Sequence, residues 1–172
     1  LVTVKKNLVL LGMMAVGKST LGKIVAKKQD LIFIDTDLNI EKKCRMKISE
    51  IFKNKGEKFF RILEEREVLE SLKKSKCVIA LGGGAFMKKT VRDRILKDSV
   101  SIWLDVNLKT LNKRIKWNKK RPLINEKDSR IKINQLYAER KNIYKMANYK
   151  INCNNLSKED IANKIITFYE KQ

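Results

Sequence analysis

The chain contains no histidine. Acid–base chemistry that depends on imidazole, triads included, is therefore excluded, and a catalytic base must be Asp, Glu, Lys, Tyr or Cys. Cysteine is scarce. Cys44, Cys77 and Cys153 are odd in number, far apart and not in C-x-x-C spacing, which argues against a disulfide framework or a zinc site. There is one proline, and no apolar run approaches the length of a membrane-spanning helix. Lys5 and Lys6 precede the apolar run Leu8-Val9-Leu10-Leu11, but that run is too short for a signal-peptide core, so a cytoplasmic protein is expected. Interleaved arginine and aromatic residues of the kind that stack bases are also missing.

Positive charge is abundant. Forty Lys and Arg against 19 Asp and Glu give a net charge of +21 over 172 residues. Such a surface can attract nucleic acid, membrane or small anions. The lysines are spread along the chain among many Asn and Ile, which favours a compositional origin. Neither a nucleic-acid nor a membrane partner is expected, and a monomer is. With 43% apolar residues the length suits one domain, residues 1–172, with a real core.

One stretch organises the chain: Gly12-Met13-Met14-Ala15-Val16-Gly17-Lys18-Ser19. It fits Gly-x-x-x-x-Gly-Lys-Ser/Thr, the P-loop pattern. The glycines let backbone N–H groups approach phosphate oxygens, Lys18 can reach the β/γ-phosphates, and the Ser19 hydroxyl can hold Mg²⁺. The setting agrees, with an apolar run before the loop and Leu21, Ile24, Val25 and Lys28 at helical spacing after it.

Further along, short apolar runs alternate with helical patterns. Leu31-Ile32-Phe33-Ile34 ends at Asp35-Thr36-Asp37. A helix is expected over 38–45, a short one near Ser49 and a longer one after Gly56. Cys77-Val78-Ile79-Ala80-Leu81 stops at Gly82-Gly83-Gly84. Strands at 100–104 and 149–152 follow, with helices between and after them, and Ser157 with Asp160 resembles a capping box. Alternation of this kind predicts a parallel sheet covered on both faces, with ligands at the carboxyl ends of the strands. The P-loop, the Asp pair and the triple glycine should therefore meet at one edge.

Each motif has a functional and a structural meaning. Asp35 and Asp37, two apart at a strand end, point to one side by strand period. One could help hold Mg²⁺ and the other orient or deprotonate a hydroxyl; alternatively Asp37 caps the next helix. The glycines could offer N–H groups to a ligand or simply make a tight turn. Arg61 and Glu64 share a helical face, as a carboxylate clamp with its support or as a surface ion pair. The polar stretch 117–130, with Arg121-Pro122-Leu123, reads as a lid whose Arg121 closes over phosphate or as a solvated loop. Arg114 and Arg140, taken alone, read as surface charge.

Together these residues resemble the shikimate kinase family. The matching set is the P-loop with Thr20, Asp35-Thr36-Asp37, Phe60-Arg61-x-x-Glu64, Gly82-Gly83-Gly84, Arg121-Pro122-Leu123, and Arg140 with Tyr144, in the family's order over nearly the whole chain. One departure is Ala15, where the family often has a third glycine. The resemblance implies a P-loop kinase fold, a three-layer α/β/α arrangement with a five-stranded parallel sheet in order 2-3-1-4-5. It implies ATP-dependent phosphorylation of the shikimate 3-hydroxyl, on the route to chorismate and the aromatic amino acids.

By the same resemblance, Gly12, Ala15, Val16, Gly17, Lys18, Ser19, Thr20, Arg114 and Arg121 would serve ATP, and Ser19 and Asp35 would serve Mg²⁺. Asp37, Arg61, Gly82, Gly83, Gly84 and Arg140 would serve shikimate, with Lys18, Asp37 and Arg121 catalytic and residues 37–64 as the substrate-binding segment. Other acceptors on the same fold, such as gluconate or a nucleotide, and a basic nucleic-acid-binding protein are the competing readings.

Overall fold

A computed structural model describes the backbone of residues 6–117 and 126–171 and the side chains of residues 6–115 and 129–171. Its centre is a parallel sheet of five strands: β1 (Asn7–Leu11), β2 (Ile32–Asp35), β3 (Cys77–Ala80), β4 (Ser99–Asp105) and β5 (Tyr149–Asn152). Their spatial order is β2-β3-β1-β4-β5. Every residue of β1 and β3 is buried, as are the first six of β4. A strand buried on both sides needs no polar alternation, which is why residues 8–11 and β3 read as apolar runs, while Asn7, Ser99 and Ser101 are buried polar residues. At the two edges β2 and β5 are only partly covered.

The helices are α1 (Lys18–Gln29), α2 (Thr36–Cys44), α3 (Ile48–Leu72), α4 (Lys89–Asp98), α5 (Leu108–Trp117), α6 (Glu126–Tyr144) and α7 (Lys158–Glu170), with a 3-10 turn at Ala85–Met87. They cover both faces of the sheet, α1 packing on α7 and α3 on α4. None of them, among the described residues, is long and apolar enough to cross a membrane.

Strand register explains why three loops share one edge. Leu10 pairs with Ala80, and Asp35 pairs with the same Ala80. Strands β1, β2 and β3 therefore end level with one another, and the segments following Leu11, Asp35 and Ala80 leave the sheet side by side.

Several boundaries differ from the sequence expectation. The short helix near Ser49 and the longer one after Gly56 are two parts of α3, broken at Gly56, whose φ of 83° and ψ of 166° are not helical. The polar stretch 117–130 is not loop throughout, because α6 already begins at Glu126; a run of polar residues carries no apolar period to mark a helix. Arg121, Pro122 and Leu123 lie outside the described residues. Beside the main core, Ile40, Ile51 and Phe60 form a separate cluster with Cys44, Met46, Ile48, Phe52 and Leu63. Helix α2 and both parts of α3, on either side of Gly56, thus share a small core of their own.

Candidate active site

The loop after β1 is shaped by backbone rather than side chains. Gly12 lies so close to β4 that a Cβ there would sit 2.5 Å from the Leu104 carbonyl oxygen. Ala15 and Gly17 both take left-handed φ values, 62° and 105°. For Ala15 that conformation costs roughly 1–2 kcal/mol, which a glycine would avoid. Gly17 precedes the first residue of α1 without any side-chain cap, and the first turn of α1 carries no acidic residue. The first N–H groups of α1, with the positive end of the helix dipole, suit an anion.

Lys18 Nζ donates to the carbonyls of Gly12 and Met13, both at 2.8 Å, so its ammonium lies folded over the loop. From α5, Arg114 Nη1 donates to the carbonyls of Ala15 and Val16, each at 3.2 Å. Val16 is buried and Thr20 exposed.

Ser19 and Asp35 meet. The Ser19 hydroxyl donates to Asp35 Oδ2 at 2.5 Å, while Asp35 Oδ1 accepts the Leu38 N–H at 3.1 Å. Asp35, not Asp37, is therefore the cap of α2. The strand period expected for the two aspartates does not apply, because β2 stops at Asp35 and Thr36 is already helical. Asp37 reaches the site from the first turn of α2.

The triple glycine is where the remaining side chains converge. A Cβ on Gly82 would lie 2.5 Å from Asp37 Oδ1 and 2.7 Å from Glu64 Oε1. One on Gly83 would lie 3.3 Å from Arg140 Nη1 and 3.6 Å from the Met14 nitrogen. One on Gly84 would lie 2.4 Å from Arg61 Nη1. Three consecutive missing side chains thus admit two carboxylates and two guanidinium groups beside the P-loop. Of the N–H groups that the glycines could offer to a ligand, that of Gly82 is taken by Thr36 Oγ1 at 3.1 Å.

Arg61 is held from its own helix. Its Nη1 donates to Glu64 at 2.7 Å, and its Nη2 and Nε donate to Glu57 at 3.0 and 3.3 Å. Burial pushes the Glu64 carboxyl above its ordinary range; Arg61 opposes that shift and Asp37 adds to it. Burial also pushes the Tyr144 phenol up to about 12, so it stays protonated, and it donates to the Gly83 carbonyl at 2.5 Å. A cavity of about 650 Å³ opens here, lined in part by Arg61, Glu64, Gly84 and Arg140.

Two participants escaped the sequence reading. Thr36 is fully buried and bridges two strand ends, accepting from Gly82 and donating to the Ala80 carbonyl at 3.3 Å. It stands inside Asp-Thr-Asp, but nothing local shows which way a threonine hydroxyl points. Glu57 lies four residues before Arg61, and the helical i,i+4 rule alone would have found it.

Residues 14–170 match the sequence profile of the family described as shikimate kinase. The chain belongs to the shikimate kinase family. The shikimate kinase of Sulfurihydrogenibium sp. (strain YO3AOP1) is 40% identical over 162 residues, covering 94% of this chain and 96% of that protein. That of Thermodesulfovibrio yellowstonii is 38% identical over 166 residues, covering 96% of each. Among solved structures, shikimate kinase from Acinetobacter baumannii in complex with shikimate superposes with a TM-score of 0.92 at 29% identity, covering 98% of this chain and 94% of that one. A gluconokinase from Sinorhizobium meliloti shares the fold alone, with a TM-score of 0.63 at 13% identity over 98% of this chain and 93% of that one.

Proposed function

We propose that the protein transfers the γ-phosphoryl group of ATP to the 3-hydroxyl of shikimate, giving 3-phosphoshikimate and ADP for aromatic biosynthesis. One observation carries the choice of acceptor: Asp37, Arg61 and Arg140 converge on residues 82–84 beside the P-loop. Two guanidinium groups suit a carboxylate, and an aspartate suits a hydroxyl, so the site fits a small hydroxylated acid rather than a neutral sugar or a nucleotide.

In this reading the P-loop N–H groups, Lys18 and Arg114 hold ATP, with Gly12, Ala15, Val16, Gly17 and Thr20 shaping that end and Arg121 approaching the phosphates. The acceptor oxygen attacks the γ-phosphorus, the bond to the β–γ bridging oxygen breaks, and Asp37 orients the hydroxyl and takes its proton. Most of the catalysis is positioning and charge neutralisation. Ser19 and Asp35 are a paired hydroxyl and carboxylate next to the uncapped start of α1, hard oxygen donors that fit Mg²⁺. The ion, when bound, neutralises phosphate charge. Residues 37–64 serve as the substrate-binding segment, and the enzyme acts as a cytoplasmic monomer, which light scattering would check.

Coupled ADP release with ATP and Mg²⁺ tests the reading, using shikimate, gluconate, nucleoside monophosphates and no acceptor in parallel. Turnover confined to shikimate is expected. ADP release with a different acceptor would sink the roles given to Arg61 and Arg140.

A further inference from the structure

We propose that Glu57 competes with the substrate's carboxylate for Arg61 and thereby sets the affinity of the site for carboxylated acceptors. This rests on the shikimate reading above. A guanidinium presents five N–H groups in a planar fork, and a carboxylate is held best along an edge that offers two of them. In the structure the Nε/Nη2 edge of Arg61 is already engaged, both groups donating to Glu57 Oε1. Glu64 takes Nη1 from the other side.

The two glutamates are not equivalent. The Glu64 side chain is 4% exposed and that of Glu57 is 66% exposed. Removing a buried carboxylate from its partner is strongly unfavourable, whereas an exposed ion pair holds weakly. Two neighbours flank the guanidinium. Gly84 lies against it, and its carbon sits 5.4 Å from the centre of the Phe60 ring. What can change is the occupant of the Nε/Nη2 edge.

An incoming carboxylate brings a third negative charge to one guanidinium. Glu57 is the group able to yield. It is exposed and directly follows Gly56, where the helix is broken and a Cβ would meet nothing within 4 Å. Substrate affinity then reports the difference between two carboxylates competing for one edge.

The test compares wild type with Glu57→Gln, Glu57→Ala and Glu57→Asp. Shikimate Kd is measured by titration calorimetry, and KM and kcat by coupled ADP release. Gln and Ala should lower Kd and KM about two- to five-fold, the scale of an exposed ion pair, with kcat changing less than KM. Asp, which keeps the charge, should stay near wild type. A Kd that is unchanged or higher in both neutral variants overturns the inference, because Glu57 would then be orienting Arg61 for the substrate. Equal effects in all three variants overturn it as well, since packing rather than charge would be at work. If Ala fails to fold, the isosteric Gln variant decides. A wild-type protein that neither binds nor phosphorylates shikimate overturns the functional reading and this inference together, and is recognised before any variant is made.

Discussion

Gly82 and Asp37 touch: a methyl group on the glycine would stand 2.5 Å from the aspartate's Oδ1. Real Cβ atoms do not approach oxygen so closely, so the Asp37 carboxylate owes its position to the missing side chain. Gly82→Ala should push Asp37 and Glu64 aside together. Displacements on the ångström scale cost about 10²-fold in rate. Steady-state assays should show a loss of that order in kcat/KM, and near-normal activity would mean that Asp37 has room to relocate.

Asp37→Asn separates catalysis from capping. Asp35 caps α2, so the change at Asp37 should leave the melting temperature nearly unaltered. Turnover should fall far more than ATP affinity. A variant that loses stability and keeps its kcat would return Asp37 to a structural role.

Lys18→Ala removes the ammonium folded over the Gly12 and Met13 carbonyls. Circular dichroism should show a folded protein with phosphoryl transfer reduced to background. Unaltered turnover would contradict the role given to the P-loop.

Arg61→Ala should raise the shikimate KM by about ten- to a hundred-fold, the scale of a charge-assisted hydrogen bond. It should also change how stability depends on pH. The Glu64 carboxyl is raised by burial and restrained by Arg61. A carboxyl raised in the folded state binds its proton to higher pH than in the unfolded chain. It therefore lowers stability as pH rises from the unfolded carboxylate range, near about 4.3, through its folded value. Without Arg61 the Glu64 shift grows, so the urea midpoint should fall more between pH 4 and 7 than in wild type. Adding Glu64→Gln should remove the difference, and parallel pH profiles would show that Arg61 does not restrain Glu64.

Thr36→Val deletes the hydroxyl that joins the ends of β2 and β3. It leaves the buried Gly82 N–H without its acceptor, a cost of about 1–3 kcal/mol. Chemical denaturation should register that loss, and kcat should drop because the glycine segment is no longer anchored. An unchanged denaturation midpoint would mean that another acceptor serves Gly82.

Much of this was written into the chain. Apolar runs bounded by turn residues mark strands that are buried on both faces, and Gly12 through Ser19 announce a phosphate loop, because both signals are local. Alternation of strands and helices then implies a parallel sheet with its ligands at one edge. Non-local relationships were left to the tertiary structure. That Asp35 caps α2 while Asp37 faces the glycines depends on where β2 gives way to helix, and strand and helix periods assign those two residues differently. That Thr36 serves Gly82, and that residues 82, 83 and 84 receive Asp37, Arg140 and Arg61, depends on level strand ends fixed by register, as in the shared pairing of Leu10 and Asp35 with Ala80. Sequence spacing specifies which chemistry is available. For groups far apart in the chain, packing determines which come within hydrogen-bonding distance, because local spacing constrains only neighbours such as Glu57 and Arg61.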